Sequence, residues 1–282
     1  SWRRPRWRSL WRWPPAPLTD PARSAADPSA AADGWPEGVG RHILPRCAST
    51  NAEALRLAPA LSGPAWVLTL DQFAGRGRRG RVWQMPAGNF AATLVLRPAG
   101  GPAEASLYSF VAALALHEAL ALVCGPAARL AIKWPNDVLL NGGKVAGILL
   151  ESAGQGGQVS ALAVGIGVNL AAAPPADTLE PEATPAVSVR EATGHALAPT
   201  DFLDLLAPAF ARWQAQLTTW GFAPIRTAWL ARAARLGQTI TARTGSHSRT
   251  GTFEGIDPTG ALILITAQGR DVIPAADIYF HE

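Results

Sequence analysis

The sequence predicts an α+β fold in which helices pack on a mixed β-sheet, followed by a small β-barrel at the C-terminus. Short apolar segments rich in β-branched residues, such as residues 65–70 and 89–96, predict buried strands. Apolar residues at helical spacing over 106–123 and 201–220 predict long helices. From residue 237 onward short alternating strands separated by turns replace the helices, which is the pattern of a small barrel.

The domain organisation follows from composition along the chain. A chain of 282 residues that is 48% apolar can form one large domain and a small one. Residues 1–40 are rich in Trp, Arg and Pro and are expected to be disordered, because the prolines block a helix. We therefore place the large domain at residues 41–234 and the small barrel at residues 235–282.

Charge and cysteine content exclude several classes of protein. The formal net charge is +4, but residues 1–12 hold five arginines, and without them 20 basic residues face 21 acidic ones. A near-neutral body argues against binding of nucleic acid. Two cysteines, Cys47 and Cys124, form neither a disulfide framework nor a zinc set, which fits a reducing cytoplasm. The chain has no uninterrupted run of 18 apolar residues, so we expect no membrane span.

The large domain begins with a short helix after Ser49-Thr50-Asn51. Ser49 or Thr50 can cap this helix, and Glu53 lies near the position that completes a capping box. The same helix N-terminus could also present hydroxyl and N–H groups to a polar ligand. Both interpretations are open from the sequence.

An arginine-rich loop, Gly75-Arg76-Gly77-Arg78-Arg79-Gly80-Arg81, separates the first two predicted buried strands and is followed by Trp83. We call residues 75–81 the arginine loop. Glycines allow a ligand close to the backbone, and guanidinium forks match carboxylate and phosphate oxygens, so the loop predicts an anion clamp. A solvated charged loop and an RNA-binding segment are the alternatives. The loop also fits the dinucleotide fingerprint G-x-G-x-x-G, but a strand rather than a helix follows it, which excludes that interpretation.

Lysine is rare enough in this chain to be informative. Lys133 and Lys144 are the only lysines, against 23 arginines. An apolar strand over residues 130–140 contains Lys133-Trp134-Pro135-Asn136-Asp137, and the turn Asn141-Gly142-Gly143 predicts a hairpin that returns at Lys144. Such a hairpin gathers an ammonium, a carboxylate and an amide. Chance placement of the lysines and an ordinary turn at Asn136-Asp137 are the alternatives.

The last polar cluster lies at the end of the strand over residues 158–170. Its glycines, in Gly165-Ile166-Gly167-Val168-Asn169, indicate either close approach of a ligand or a bulge. Arginines, one lysine and an Asn-Asp turn suit the activation of a carboxylic acid by ATP, in which two anions must be brought together. The chain lacks a P-loop, a G-x-S-x-G elbow and an H-E-x-x-H motif.

The four polar motifs, in this order and spacing, resemble those of the biotin–protein ligases. They are the arginine loop with Trp83, the segments 133–137 and 143–148, and Gly165–Leu170. The resemblance runs from about Pro45 to the C-terminus and implies a class II synthetase-like catalytic domain with a C-terminal β-barrel. Some members carry an N-terminal DNA-binding domain, which residues 1–40 are too short to form. We therefore expect the type without that domain and no role in repression.

The resemblance implies two half-reactions: biotin and MgATP give biotinoyl-5′-AMP, and the biotinoyl group then passes to a lysine of a biotin carboxyl carrier protein. It implies Lys144 and Arg78 as catalytic residues and Asp137 as a residue that helps to hold Mg²⁺. The biotin-binding residues that it implies are Ser49, Thr50, Asn51, Gln72, Gly75, Arg76, Gly77, Arg78, Lys144 and Gly147. The implied ATP-binding residues are Arg78, Arg79, Arg81, Trp83, Lys133, Asn136, Asp137 and Asn169.

The same resemblance sets expectations for partners. It implies a cytoplasmic enzyme whose macromolecular partner is a carrier domain of acetyl-CoA carboxylase or a related carboxylase, without DNA or a membrane, and it leaves a homodimer open. The nearest alternative enzyme is a lipoate–protein ligase, which has a similar fold. Its Arg-Arg…Gly-Gly-Gly and His-Asp motifs are missing from this sequence.

Overall fold

The structure is a computed structural model that describes residues 34–178, 183–244 and 247–280. The described strands are β1 (Gly40–Leu44), β2 (Ala65–Thr69), β3 (Phe90–Leu96), β4 (Leu130–Lys133), β5 (Asp137–Leu140), β6 (Gly143–Gln155), β7 (Gln158–Val168), β8 (Thr239–Thr244), β9 (His247–Ile256), β10 (Leu262–Thr266), β11 (Gly269–Ile273) and β12 (Asp277–Phe280). The helices are α1 (Thr50–Leu57), α2 (Pro102–Ser106), α3 (Tyr108–Cys124), α4 (Val189–Thr193), α5 (Pro199–Trp220) and α6 (Phe222–Leu230).

The segment predicted to be disordered lies mostly outside the described residues, which begin at residue 34. Residues 34–40 of this segment are described, and among them Trp35 packs against the core and its Nε1 donates to the Val39 carbonyl at 2.7 Å. The Arg41 guanidinium lies 4.1 Å from the Trp35 ring centre. The first strand, β1, which the sequence did not predict, follows at Gly40 and pairs in parallel with β2.

The main sheet has seven strands in the order β1-β2-β3-β7-β6-β5-β4, and every pair except β1–β2 is antiparallel. Strand β3 lies between β2 and β7 and is buried at all seven residues. Alternate residues of a strand point to opposite faces, so Phe90, Ala92 and Leu94 join the large core beneath α3 and α5. Val95 packs in a smaller cluster beneath α1. The α1 face is therefore the thinner face, and it carries the polar residues of the site.

Helix α3 is a mostly apolar core helix. Phe110 packs edge-on against Phe222 and Trp229, with ring centres 5.1 and 5.6 Å apart. By length and composition the helical stretch Pro102–Cys124 could cross a membrane, since an 18-residue window within it has a mean hydropathy of 1.8, although the sequence suggested no such span. Polar residues interrupt the apolar residues of this stretch, and 61% of that 18-residue window is buried inside the fold. That burial is typical of a helix in the core of a globular domain.

His117, near the middle of α3, gives the protein a defined acid sensitivity. Burial lowers the pKa of His117 below its ordinary value of 6.5, and the neighbouring charge of Arg232 lowers that pKa further. The unfolded chain therefore binds this proton more readily, so the free energy of unfolding falls as pH drops from 6.5 towards the lowered pKa. His117→Gln is expected to reduce this loss, measured by urea unfolding at about pH 7.5 and about pH 5.5. An equal loss in both proteins would contradict it.

The hairpin around the two lysines is partly as predicted. Asn141 and Gly142 have φ of 51° and 90°, so the predicted tight turn is confirmed. The strand expected over residues 130–140, with a bulge or edge at Pro135, is wrong. The chain reverses at residues 134–136, close to the turn that was the alternative at Asn136-Asp137, and β4 and β5 pair antiparallel, Lys133 opposite Asp137. Pro135 lacks an amide donor and therefore suits this turn better than a continuous ladder.

The C-terminal strands form an open antiparallel sheet of five strands, β11-β10-β9-β8-β12. The predicted antiparallel strands are confirmed, but the predicted closed barrel is wrong, since β11 and β12 remain at opposite edges. The start of β12 faces the arginine loop, because the Asp277 carboxylate pairs with arginines there. The sheet also docks through Gly260, whose carbonyl accepts from Trp134 Nε1 at 3.0 Å.

Candidate active site

One cavity of about 450 Å³ collects most of the predicted site residues. It lies between the α1 face of the main sheet, the arginine loop and the start of β12. The predicted residues that line it are Ser49, Thr50, Asn51, Gln72, Arg76, Gly77, Arg78, Arg81, Trp83, Lys133, Asn136, Asp137, Lys144, Gly147 and Asn169. Motifs more than a hundred residues apart in the chain thus converge on a single concave site.

Gly75 and Arg79 are the two predicted site residues that do not line the cavity. Gly75 lies where the two ends of the arginine loop meet, and an added Cβ would come within 2.5 Å of the Trp83 carbonyl oxygen. Arg79 has a φ of 56°, and its Nη1 lies 2.8 Å from the Asp277 carboxylate. Both residues shape the loop and its contact with the C-terminal sheet.

The N-terminus of α1 forms the first end of the cavity. Ser49 is the N-cap residue, and its Oγ accepts from the Ala52 N–H at 3.5 Å, which confirms the capping interpretation. The Thr50 N–H donates to Gln72 Oε1 at 2.9 Å. Asn51 is 3% exposed, and its Nδ2 donates to Glu151 Oε2 at 2.7 Å. The helix start therefore presents a group of oriented polar side chains rather than a simple cap.

The glycines of β6 and β7 make room for side chains on the cavity floor. An added Cβ at Gly165 would lie 2.2 Å from Asn51 Oδ1, and one at Gly167 would lie 2.4 Å from the Trp83 ring. Gly147, opposite Gly167 across the β6–β7 ladder, also faces that ring at 3.1 Å. The ladder is regular here, so the bulge alternative does not apply. The glycines accommodate Asn51 and Trp83, which themselves line the cavity.

Lys144 and Asp137 form the predicted ammonium–carboxylate pair, with Nζ and Oδ1 2.8 Å apart. Lys144 Nζ lies 5.7 Å from the centre of the Trp83 ring. The side-chain amides of Asn136 and Asn169 bind neighbouring backbone. Asn136 Nδ2 donates to the Ile148 carbonyl at 2.7 Å, and Asn169 Nδ2 donates to the Val187 carbonyl at 3.2 Å. The ammonium is thus held at a fixed place on the cavity wall.

Lys133 is the more deeply buried lysine, at 7% exposure. Its Nζ donates to Thr184 Oγ1 at 2.7 Å and lies 4.7 Å from the Phe280 ring centre. Burial lowers the pKa of Lys133, and the Asp137 carboxylate opposes that shift. Lys133 joins β4, the segment around residue 184 and the C-terminal sheet at one end of the cavity.

The arginine loop is bound at both ends by carboxylates. Arg76 Nη2 lies 3.2 Å from Glu151 Oε1 on β6. Arg79 and Arg81 lie 2.8 and 2.9 Å from Asp277 Oδ2, and Arg78 Nη1 lies 3.6 Å from Asp277 Oδ1. Burial lowers the pKa of Arg78. Four guanidinium groups therefore face two carboxylates, and the surplus positive charge lies at the cavity.

Sequence reasoning missed Asp277, Glu151 and Thr93. Asp277 is 196 residues from Arg81 in the chain, and no local pattern marks it. Glu151 is the last residue of the strand predicted over residues 145–151, and it was interpreted only as the end of that strand. Thr93 is the one polar residue in the otherwise apolar strand β3, and that isolated hydroxyl was the available signal. It is fully buried and contacts Asn51 Oδ1 at 2.7 Å.

Asp277→Asn is expected to destabilise the fold, because three arginines would lose a shared, nearly buried carboxylate. The Arg79 and Arg81 side chains are 39% and 41% exposed, so solvent screening limits the loss to about 1–2 kcal/mol in the free energy of unfolding. Urea unfolding checks this value. Asp271→Asn, which loses one ion pair with the exposed Arg249 on the same sheet, is the matched control. An equal or smaller loss in Asp277→Asn would contradict the shared-carboxylate role.

The described residues contain no group of three or more His, Cys, Asp or Glu side chains that could hold a metal ion. Asp137, the predicted Mg²⁺ contact, already pairs with Lys144. Mg²⁺ bound to phosphates and water needs only one or two protein carboxylates. Asp137 therefore fits a metal ion that enters with its nucleotide better than one held permanently by the protein.

Comparison with known proteins agrees with this geometry. Residues 44–169 match the biotin/lipoate A/B protein ligase family, and residues 236–281 match the biotin protein ligase C-terminal domain. The chain is 72% identical over 238 residues to the biotin–[acetyl-CoA-carboxylase] ligase of Paracoccus denitrificans, covering 84% of this chain and 99% of that protein. It is 32% identical over 248 residues to the bifunctional ligase/repressor BirA of Bacillus subtilis, covering 86% and 75% respectively.

Solved structures show the same fold. The biotin protein ligase of Aquifex aeolicus in complex with biotin and ATP matches with a TM-score of 0.71 at 24% identity, covering 85% of this chain and 97% of that one. The enzyme of Leishmania major in complex with biotinyl-5-AMP matches with a TM-score of 0.61 at 22% identity, covering 84% and 99%. With the near-complete coverage of the Paracoccus relative, these findings show that the chain belongs to the biotin protein ligase family of enzymes.

Proposed function

We propose that the chain activates biotin with MgATP to biotinoyl-5′-AMP and transfers the biotinoyl group to one lysine of a biotin carboxyl carrier protein. One observation carries the proposal: Lys144 and the guanidinium groups of Arg76, Arg78 and Arg81 line the same cavity as the polar start of α1. A neutral polar pocket for a head group and a cationic wall for anions suit a ligand with a carboxylate at one end. The names of the relatives support the same substrates.

In the first half-reaction a biotin carboxylate oxygen forms a bond to the α-phosphorus of ATP, and the bond to the bridging oxygen of pyrophosphate breaks. Both reactants are anions, so their approach depends on positive charge fixed in place. Arg78 and Lys144 are placed to share the charge of the carboxylate and the α-phosphate. Arg76, Arg81 and Lys133 add positive charge along the path of the phosphates. Asp137, paired to Lys144, holds that ammonium in position.

In the second half-reaction the amine of the acceptor lysine attacks the carbonyl of the mixed anhydride, AMP leaves, and the amine loses a proton as the amide forms. The anhydride must not react with water before the acceptor arrives. Trp83, held against Gly147 and Gly167, is placed to cover the adenylate. Ser49, Thr50, Asn51, Gln72 and Gly147 are the proposed head-group contacts, and Asn136 and Asn169 border the nucleotide.

The remaining assignments follow from this reaction. ATP enters as its Mg²⁺ complex, and Asp137 is the residue we propose to approach that ion. The macromolecular partner is the carrier domain of acetyl-CoA carboxylase or a related carboxylase, in the cytoplasm. We propose neither a DNA nor a membrane partner for the described residues, and a homodimer is compatible with the position of β1 as an edge strand of the described sheet.

The test is incubation of the full chain with biotin, MgATP and a carrier domain, followed by mass spectrometry of the carrier. The expected result is addition of one biotinoyl group, which disappears when ATP is omitted or the acceptor lysine is replaced by arginine. A parallel incubation with lipoate distinguishes the alternative enzyme. Modification by lipoate but not by biotin, or no modification by either, would overturn the proposal.

A further inference from the structure

A chain of hydrogen bonds at the head-group end of the cavity links two proposed head-group contacts, Thr50 and Asn51, to two residues with no proposed contact with the substrates, Thr93 and Glu151. We call Thr50, Thr93, Asn51 and Glu151 the hydroxyl relay. Thr93 Oγ1 lies 2.8 Å from Thr50 Oγ1 and 2.7 Å from Asn51 Oδ1. Thr93 is fully buried, and Thr50 and Asn51 are 4% and 3% exposed, so little of this chain of hydrogen bonds is open to water.

The direction of the relay is set at its far end. Asn51 Nδ2 contacts the Glu151 carboxylate at 2.7 Å and the Leu149 carbonyl at 3.2 Å. A carboxylate and a carbonyl can only accept hydrogen bonds, so both must receive the amide protons of Asn51. The side-chain amide therefore has one allowed orientation, with its Oδ1 acceptor turned towards Thr93. Glu151 fixes this orientation from β6, where it also pairs with Arg76.

The protons of the two hydroxyl groups follow from that orientation. A hydroxyl group carries one proton, so Thr93 cannot donate to both of its neighbours. Asn51 Oδ1 has no proton to give, and Thr93 must therefore donate to it. The contact of 2.8 Å between the two hydroxyl oxygens still needs a proton between them, and only Thr50 can supply it. Two acceptors lie within reach of the Thr50 proton, Thr93 Oγ1 at 2.8 Å and Gln72 Oε1 at 3.3 Å, and the shorter contact takes it. The Thr50 hydroxyl then offers the cavity only its lone pairs.

By the same reasoning, the group of Gln72 that is left for a ligand is a hydrogen-bond donor, whereas that of Thr50 is an acceptor. Gln72 Oε1 accepts from the Thr50 backbone N–H at 2.9 Å, and a backbone N–H can only donate. The amide end that can still bond to a ligand is the Nε2 donor. Thr50 and Gln72 both line the cavity, so the groups that they can still offer to a ligand are an acceptor, Thr50 Oγ1, and a donor, Gln72 Nε2. A cyclic urea, with ring N–H groups next to a carbonyl oxygen, has the complementary pattern.

We propose that Thr93 is a positioning residue for specificity, which acts through Thr50 by locking its hydroxyl as an acceptor for a ring N–H of a cyclic urea. This inference rests on the proposed function, since biotin supplies the urea. Thr93 touches neither substrate. It affects the ligand only by fixing which group of the hydroxyl relay donates each proton and which accepts it. Loss of its hydroxyl releases the Thr50 proton, which is then free to turn towards Gln72 Oε1 at 3.3 Å or into the cavity.

The test is steady-state ATP–pyrophosphate exchange with Thr93→Val, which removes the hydroxyl at nearly constant volume. We expect the KM for biotin to rise roughly tenfold, which is the loss of affinity expected from one lost hydrogen bond. We expect kcat and the KM for ATP to stay within about twofold of the wild type. Thr93→Ser restores the hydroxyl and is expected to recover most of the biotin affinity, although it leaves a small void. Thr93→Ala provides a second hydroxyl-free variant, with the same expected change in KM, should the valine fold poorly.

The matched control is Thr241→Val, which removes a buried hydroxyl, 5% exposed, from the C-terminal sheet. It is expected to change stability but not the KM for biotin. The proposal is overturned if Thr93→Val and Thr93→Ala both keep the wild-type KM for biotin, or if Thr93→Ser shows the same defect as they do. Failure of the proposed function is visible separately, because the wild-type protein itself would then show no exchange with biotin.

Discussion

Replacing Lys144 with alanine is expected to lower the rate of biotinoyl-5′-AMP formation by about a hundredfold to a thousandfold, the effect of removing one preorganised charge from an oxyanion site. The carboxylate and the α-phosphate would then approach each other without the ammonium between them. The loss should fall on kcat, because the ammonium acts most strongly where charge concentrates in the transition state. ATP–pyrophosphate exchange dependent on biotin measures it, and an unchanged rate would contradict this role.

A second variant separates the missing ammonium from the carboxylate left behind. Asp137 lies 2.8 Å from Lys144, and Lys144→Ala leaves that carboxylate unpaired beside the incoming phosphates. Asp137→Asn in the Lys144→Ala background restores the local charge balance without restoring the ammonium. We expect the double variant to remain at least tenfold below the wild type. Full recovery would mean that Asp137 repulsion, rather than absence of Lys144, caused the defect.

Replacing Arg78 with alanine is expected to weaken binding of both biotin and ATP, by about tenfold to a hundredfold for each, since hydrogen bonds to charged groups contribute about 1.5–3 kcal/mol. Arg78 lines the cavity with its side chain 24% exposed, whereas its neighbours in the loop are more open. One guanidinium there serves both anions. Isothermal titration calorimetry with each ligand measures the two affinities, and a loss confined to one ligand would contradict a shared contact.

Arg79→Ala is the matched comparison for Arg78→Ala. Arg79 belongs to the same loop and pairs with the same carboxylate of Asp277, but it does not line the cavity. Its removal should therefore cost less affinity for either ligand than removal of Arg78. Equal losses in the two variants would indicate that both act through the contact with the C-terminal sheet rather than through the ligands.

The sequence predicted those parts of the fold that depend on local pattern. The turn at Asn141-Gly142 needs two residues with positive φ, and the dipeptide shows this directly. The long helices follow from apolar spacing within one segment. The closed barrel was wrong because closure depends on which strand edges meet, and alternation within each strand carries no information on that pairing.

The site was predicted to a similar degree and for a similar reason. Lys144 and Asp137 lie on one hairpin, so their ion pair could be expected from the turn between them. The glycines of β7 were predicted to mark close approach of a ligand or a bulge, but the groups that approach Gly165 and Gly167 are the side chains of Asn51 and Trp83, from distant segments. Asp277 could not be found, since its role depends on how the C-terminal sheet docks and not on its neighbours in the chain.

The anchoring of the arginine loop by Asp277 has a consequence for synthesis of the protein. The loop emerges from the ribosome almost two hundred residues before the carboxylate that neutralises it. Until β12 is in place the nascent chain carries an incompletely balanced cluster of guanidinium groups and lacks one wall of its cavity. A chain that ends before β12 is therefore not expected to form the proposed biotinoyl-5′-AMP or to label other proteins.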